Sequence, residues 1–81
     1  MIEVYSKPNC GGCKIIMSWL DASDIPYKET DVFENDDALE FMQENGYSSL
    51  PLTFVEGKII NGVDPVGLDA ALSEAGYKLN I

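Results

Sequence analysis

Two cysteines three residues apart, in Cys10-Gly11-Gly12-Cys13, are the residues of this 81-residue chain whose type and spacing suit covalent chemistry. In the first turn of a helix, positions i and i+3 are neighbours, close enough for a disulfide after a small adjustment. If Cys10 stands at a helix N-terminus, unpaired N–H groups and the positive end of the dipole favour its thiolate and make it a nucleophile at neutral pH. Lys7 and Lys14 flank it and add to that effect. Cys13, one turn further in, is placed to attack a mixed disulfide formed on Cys10. Exchange through two thiols requires no general base and no metal.

The rest of the composition agrees by exclusion. The chain has no histidine, which removes a Cys–His pair, a Ser–His–Asp triad and a His-ligated zinc. It has no arginine for a bidentate phosphate or guanine clamp. A C-x-x-C pair is also half of a zinc site, but two further Cys or His ligands are missing. A purely structural disulfide over so short a loop would add little stability, because the loop-closure contribution shrinks with loop length. Redox-active thiols are the favoured reading, with an inert pair or a metal shared between chains as the alternatives.

Alternating elements must position this motif. Ile2–Tyr5 alternates apolar and polar residues, which predicts a strand, and Ser6-Lys-Pro-Asn9 has turn chemistry. From Cys10 a helical period begins, with Ile15/Trp19 and Ile16/Leu20 as i,i+4 pairs on one face, and Ser23-Asp24 closes it. Pro26 leads into a strand over Tyr27–Val32. A second helix is capped by Asn35 or Asp36, carries the stripe Ala38, Phe41 and Met42, and stops at Gly46. Leu52–Val55 and Lys58–Ile60 are β-rich runs joined by Glu56-Gly57, a two-residue hairpin signal. A last helix opens at Asp64-Pro65, buries Leu68, Leu72 and Ala75, and ends at Gly76.

The order β-α-β-α-β-β-α predicts one α/β domain over 1–81, with a parallel pair from the first unit and antiparallel strands from the hairpin. Trp19, Phe41 and Phe54 read as core, and Tyr5 and Tyr47 as packing near the motif. The acidic run Asp31–Asp37 lacks the glycine of a calcium loop and puts Phe33 at a ligand position.

Charge is unevenly spread. The formal total is −9, yet residues 1–20 carry +1 and residues 21–81 carry −10. Such a chain is repelled by nucleic acid and by anionic membrane surfaces. No apolar run approaches the roughly 20 residues needed to cross a bilayer. The opening Met1-Ile-Glu-Val-Tyr-Ser-Lys7 has neither a basic leader nor a long apolar stretch, so a cytoplasmic location is expected.

Three segments carry a family resemblance: Val4-Tyr-Ser-Lys-Pro-Asn-Cys-Gly-Gly-Cys13, Gly46-Tyr-Ser-Ser-Leu-Pro51 and Ile60-Asn-Gly-Val-Asp-Pro65. The chain resembles the glutaredoxins over nearly its whole length and, within them, the NrdH-redoxins, glutaredoxin-like hydrogen donors of ribonucleotide reductase. The resemblance implies a minimal thioredoxin-like fold with a four-stranded mixed sheet flanked by helices. It implies a monomeric thiol–disulfide oxidoreductase with Cys10 as nucleophile and Cys13 as resolving thiol. Leu50-Pro51 would be a cis peptide opposite the cysteines, the Leu50 backbone holding an extended substrate. Lys7 would meet the substrate's negative end, often a glutathione carboxylate, and Gly62, Val63 and Asp64 the γ-glutamyl end. Plainer roles stand beside these: a solvated lysine at Lys7, a strand-opening proline at Pro51, a turn at Gly62 and a helix cap at Asp64.

No cofactor is obligatory on this reading. Glutathione is the expected co-substrate, and the reductant is glutathione or thioredoxin reductase. The partner is a disulfide-bearing protein, such as ribonucleotide reductase. Some relatives share an iron–sulfur cluster between two chains through the first cysteine and glutathione, which makes a cluster-binding module the reading from another class. The chain departs from glutaredoxins in placing two glycines where proline and an aromatic residue are usual. It also has one glycine in Asn61-Gly-Val-Asp-Pro65 where two are common. NrdH-redoxins usually carry a large aromatic residue where Val63 stands and a basic one at Asp64.

Overall fold

A computed structural model describes residues 1–80. The elements are β1 (Ile2–Ser6), α1 (Gly11–Ala22), β2 (Lys28–Asp31), α2 (Asp36–Glu44), β3 (Leu52–Val55), β4 (Lys58–Asn61) and α3 (Pro65–Glu74). They build one mixed sheet in the order β2-β1-β3-β4. β1 runs parallel to β2, as a β-α-β crossover requires, and antiparallel to β3. β4 closes the hairpin at the edge, with Leu52 opposite Asn61 and Val55 opposite Lys58.

The period-2 pattern of the strands divides the core. Ile2 and Val4 of β1 and Val55 of β3 face α1 and α3, where Ile16, Leu20, Leu68 and Leu72 complete one fully buried cluster. On the other face Leu52 packs with Val32, Ala38 and Met42, bordered by Tyr5, Tyr47 and Phe54. Tyr5, Phe41 and Phe54 meet in tilted and edge-on pairs with centroids 4.5–6.2 Å apart, which suits the ring quadrupoles. The single α2 thus covers one face and the α1/α3 pair the other.

Local chemistry explains most boundaries. Glu56 (φ 48°) and Gly57 (φ 86°) both take positive φ, the geometry of a type I′ hairpin. Asn35, not Asp36, caps α2, its side chain accepting the Ala38 N–H at 3.0 Å. Two expectations need correction. The second strand begins at Lys28 and ends at Asp31, shorter than expected by one residue at each end, although Val32 still donates its N–H to the Ser6 carbonyl of β1 at 3.0 Å. Ile15 is 43% exposed and lies outside the core, since the buried row of α1 is Cys13, Ile16 and Leu20.

Candidate active site at the start of the first helix

β1 ends at Ser6, and the chain turns through Lys7, Pro8 and Asn9 before entering α1. Asn9 holds φ 60°, a left-handed conformation that asparagine tolerates better than most residues. Cys10 is the N-cap of α1: its backbone is extended and its sulfur accepts the Cys13 N–H at 3.1 Å. No acidic residue lies in the first turn, so the dipole's positive end acts on the sulfur without local opposition. Cys10 and Cys13 are joined in a disulfide, with Cα atoms 5.3 Å apart. Cys10 is 7% exposed and Cys13 only 1%, so the first cysteine is the more accessible of the two.

Two other segments reach this turn. The Leu50–Pro51 peptide is cis, and Pro51 abuts the helix start: a Cβ built on Gly12 would lie 3.2 Å from Pro51 Cδ. The same Cβ would lie 3.0 Å from Val63 Cγ2. Gly62, at φ 80°, turns the chain after β4 and donates its N–H to the Pro51 carbonyl at 2.8 Å, tying these two segments together. Asp64 is the N-cap of α3 and accepts the Gly67 N–H at 3.0 Å, with Pro65 at the first helical position.

Lys7 and Leu50 line a shared groove of about 330 Å³ on the α2 side, with Phe33, Gln43 and Tyr47. The expected binding residues therefore fall into two groups. Pro51 and Val63 border the cysteine turn through Gly12, with Gly62 and Asp64 on Val63's loop, whereas Lys7 and Leu50 border the groove. Reading the sequence missed Gly12 as a packing position, and it missed Phe33, which is 66% exposed at the groove. The available signal for Phe33 was a lone aromatic in the acidic run Asp31–Asp37. Among the described residues, no group of three or more His, Cys, Asp or Glu side chains is arranged to hold a metal ion. None of the described helices is long and apolar enough to cross a membrane.

A parallel β-α-β unit, a hairpin and a dithiol at the first helix N-terminus define a thioredoxin-like thiol–disulfide oxidoreductase. The glutaredoxin family model matches residues 2–60, and the chain belongs to the glutaredoxin family. A relative, the glutaredoxin-like protein NrdH of Lactococcus lactis subsp. cremoris, is 31% identical over 65 residues, covering 80% of this chain and 90% of its own. Among solved structures, the thioredoxin-like protein BC3987 superposes with a TM-score of 0.80 at 27% identity, covering 89% of this chain and 100% of that one. A buckwheat glutaredoxin solved as a complex with glutathione gives 0.73 at 25% identity, covering 95% and 80%.

Proposed function

We propose that this protein is a dithiol carrier that reduces protein disulfides and glutathione mixed disulfides, with Cys10 as the attacking thiol and Cys13 as the resolving thiol. The observation that carries this reading is the position of Cys10 Sγ at the N-cap of α1, accepting the Cys13 N–H at 3.1 Å. A thiolate there is stabilised by that hydrogen bond and by the helix dipole.

In the reduced protein the Cys10 thiolate attacks one sulfur of a substrate disulfide, and the other sulfur leaves as a thiolate that takes a proton from solvent. Cys13 then loses its proton and attacks Cys10 Sγ. The substrate's second sulfur departs with the electron pair, and the Cys10–Cys13 disulfide remains. Two thiols of the reductant reverse the process. An extended substrate segment pairs with the Leu50 backbone beside Pro51, and Lys7 meets a carboxylate at the groove. Val63 and the N-terminus of α3 at Asp64, with the turn at Gly62, receive the substrate's other end.

Replacing Cys10 by serine abolishes reduction of a glutathione mixed disulfide, whereas Cys13→Ser accumulates a mixed disulfide on Cys10, visible by intact-protein mass spectrometry. Full activity in the Cys10 variant would sink the assignment.

A second reading concerns the reductant and is favoured by the likeness to the lactococcal NrdH. On it, the oxidised protein is recharged by thioredoxin reductase and delivers electrons to ribonucleotide reductase. Following NADPH consumption with glutathione plus glutathione reductase, and separately with thioredoxin reductase, distinguishes the two.

A further inference from the structure

Phe33 is exposed, whereas every other aromatic side chain of the described residues is at least partly buried. A single exposed apolar side chain is ordinary and means nothing alone. This one is held in place. Its own N–H donates to Asp31 Oδ1 at 2.9 Å, and the Glu34 N–H donates to the Asp31 carbonyl at 3.1 Å. Val32, just before it, is buried and bonded to β1. The backbone that carries the ring is fixed on both sides, so little further ordering is lost when something packs on it.

The ring lines the groove of about 330 Å³ that Lys7 and Leu50 share. Leu39, Met42 and Tyr47 add apolar surface to the same groove. Lys7 is the only charged side chain in the lining, although the chain has fourteen carboxylates against five lysines. The groove therefore suits an occupant that is apolar and carries a negative group. Both chain segments that reach it lead to the dithiol. Lys7 stands three residues before Cys10, and Leu50 precedes Pro51, which abuts Gly12.

With a substrate carboxylate at Lys7, the residue that follows the substrate's cysteine comes to this groove. In glutathione that residue is glycine, which has no side chain to cover Phe33. The volume is at the low end of the roughly 300–1,000 Å³ of ligand pockets, small for a whole ligand and ample for one large side chain.

We infer that Phe33 is a specificity-determining residue, selecting protein segments with a large apolar residue directly after the reactive cysteine and a carboxylate beyond it. The apolar side chain packs on Phe33 in the groove, and the carboxylate meets Lys7. Removing both apolar surfaces from water favours the mixed disulfide with such a segment over the one with glutathione. The inference rests on the dithiol-exchange reading above and names the substrate class of that site.

The test uses full-length protein with Cys13→Ser, carrying glutathione on Cys10, and two synthetic peptides, acetyl-Cys-Phe-Glu and acetyl-Cys-Gly-Glu. The peptide thiolate attacks Cys10 Sγ, glutathione leaves as a thiolate that takes a proton from solvent, and intact-protein mass spectrometry reads the equilibrium ratio of adducts. The phenylalanine peptide should displace glutathione about tenfold more effectively than the glycine peptide. Phe33→Ala should bring the two peptides level, and Phe33→Leu should keep the preference. Equal displacement by both peptides in the parent, or a preference that survives Phe33→Ala, would overturn the inference.

Absence of any adduct on Cys10 removes the exchange reading instead. The groove is then read with a serine analogue of the phenylalanine peptide, which cannot exchange. It should shift the amide resonances of Leu39, Gln43 and Tyr47 in the parent and not in Phe33→Ala, and unmoved resonances in the parent defeat the inference. Shifts of the same residues with protein concentration alone assign the groove to a second copy of this chain and defeat it equally.

Discussion

Gly12 and Val63 approach so closely across the cysteine turn that a single Cβ on Gly12 would come within 3.0 Å of Val63 Cγ2. The glycine lets the segment after β4 close over the start of α1 and brings Pro51 against the same spot. Gly11, its neighbour, faces open space with nothing within 4 Å of a built Cβ. Two adjacent glycines of one motif therefore answer to different physics.

That contrast predicts opposite effects. Gly12→Ala should destabilise the oxidised protein by about 1–3 kcal/mol through overpacking against Val63 and Pro51. Gly11→Pro should stabilise by about 0.4–1 kcal/mol, because the first helical position accepts proline and the unfolded chain loses freedom. Cys10, at φ −99° and ψ 104°, already has the extended backbone required before proline. Urea unfolding of the two variants checks both signs.

The cap geometry sets the acidity of Cys10. In the reduced protein its thiol should titrate well below the free value of about 8.5. Iodoacetamide alkylation followed against pH by mass spectrometry measures this, and Cys10 should react before the buried Cys13. A Cys10 midpoint at the free-thiol value would favour inert cysteines.

Asp64 serves α3 whatever else it meets. Asp64→Ala removes the acceptor for the Gly67 N–H and should cost about 1 kcal/mol of stability, whereas Asp64→Asn should cost little. If Asp64 also meets a glutathione amino group, the asparagine variant keeps its stability and raises KM for the glutathione mixed disulfide. Thermal melts and kinetics on one pair of variants separate the roles.

Alkaline stability follows from two phenols. Burial first, then the nearby carboxylates of Glu3 and Asp37, pushes the Tyr5 pKa above its ordinary value of 10.0. Burial and a hydrogen bond to Asp21 do the same for Tyr27. A raised folded-state pKa means that the unfolded chain releases these protons first. The contribution of each phenol is complete below pH 10.0 and is lost as pH rises through the folded value. Tyr5→Phe should flatten the stability profile above that pH in chemical denaturation, and an unchanged slope would count against the Tyr5 shift.

The element order, the hairpin at Glu56-Gly57, the caps at Asn35 and Asp64 and the cysteine pair at a helix start were all legible in the sequence. Each depends on a period or on a residue's own backbone and capping preference, which act over only a few positions. The family resemblance gave the cis Leu50–Pro51 peptide, with Pro51 against the start of α1, which local pattern could not. Of the two adjoining rows Ile15/Trp19 and Ile16/Leu20, only the second is fully buried, because the helical face is set by the sheet beneath it. The closeness of Gly12 to Val63 and Pro51 and the pairing of Lys7 with Leu50 at one groove belong to the tertiary structure. They arise between segments about 40 to 50 positions apart, brought together by strand pairing and helix packing, and no local preference encodes such distances.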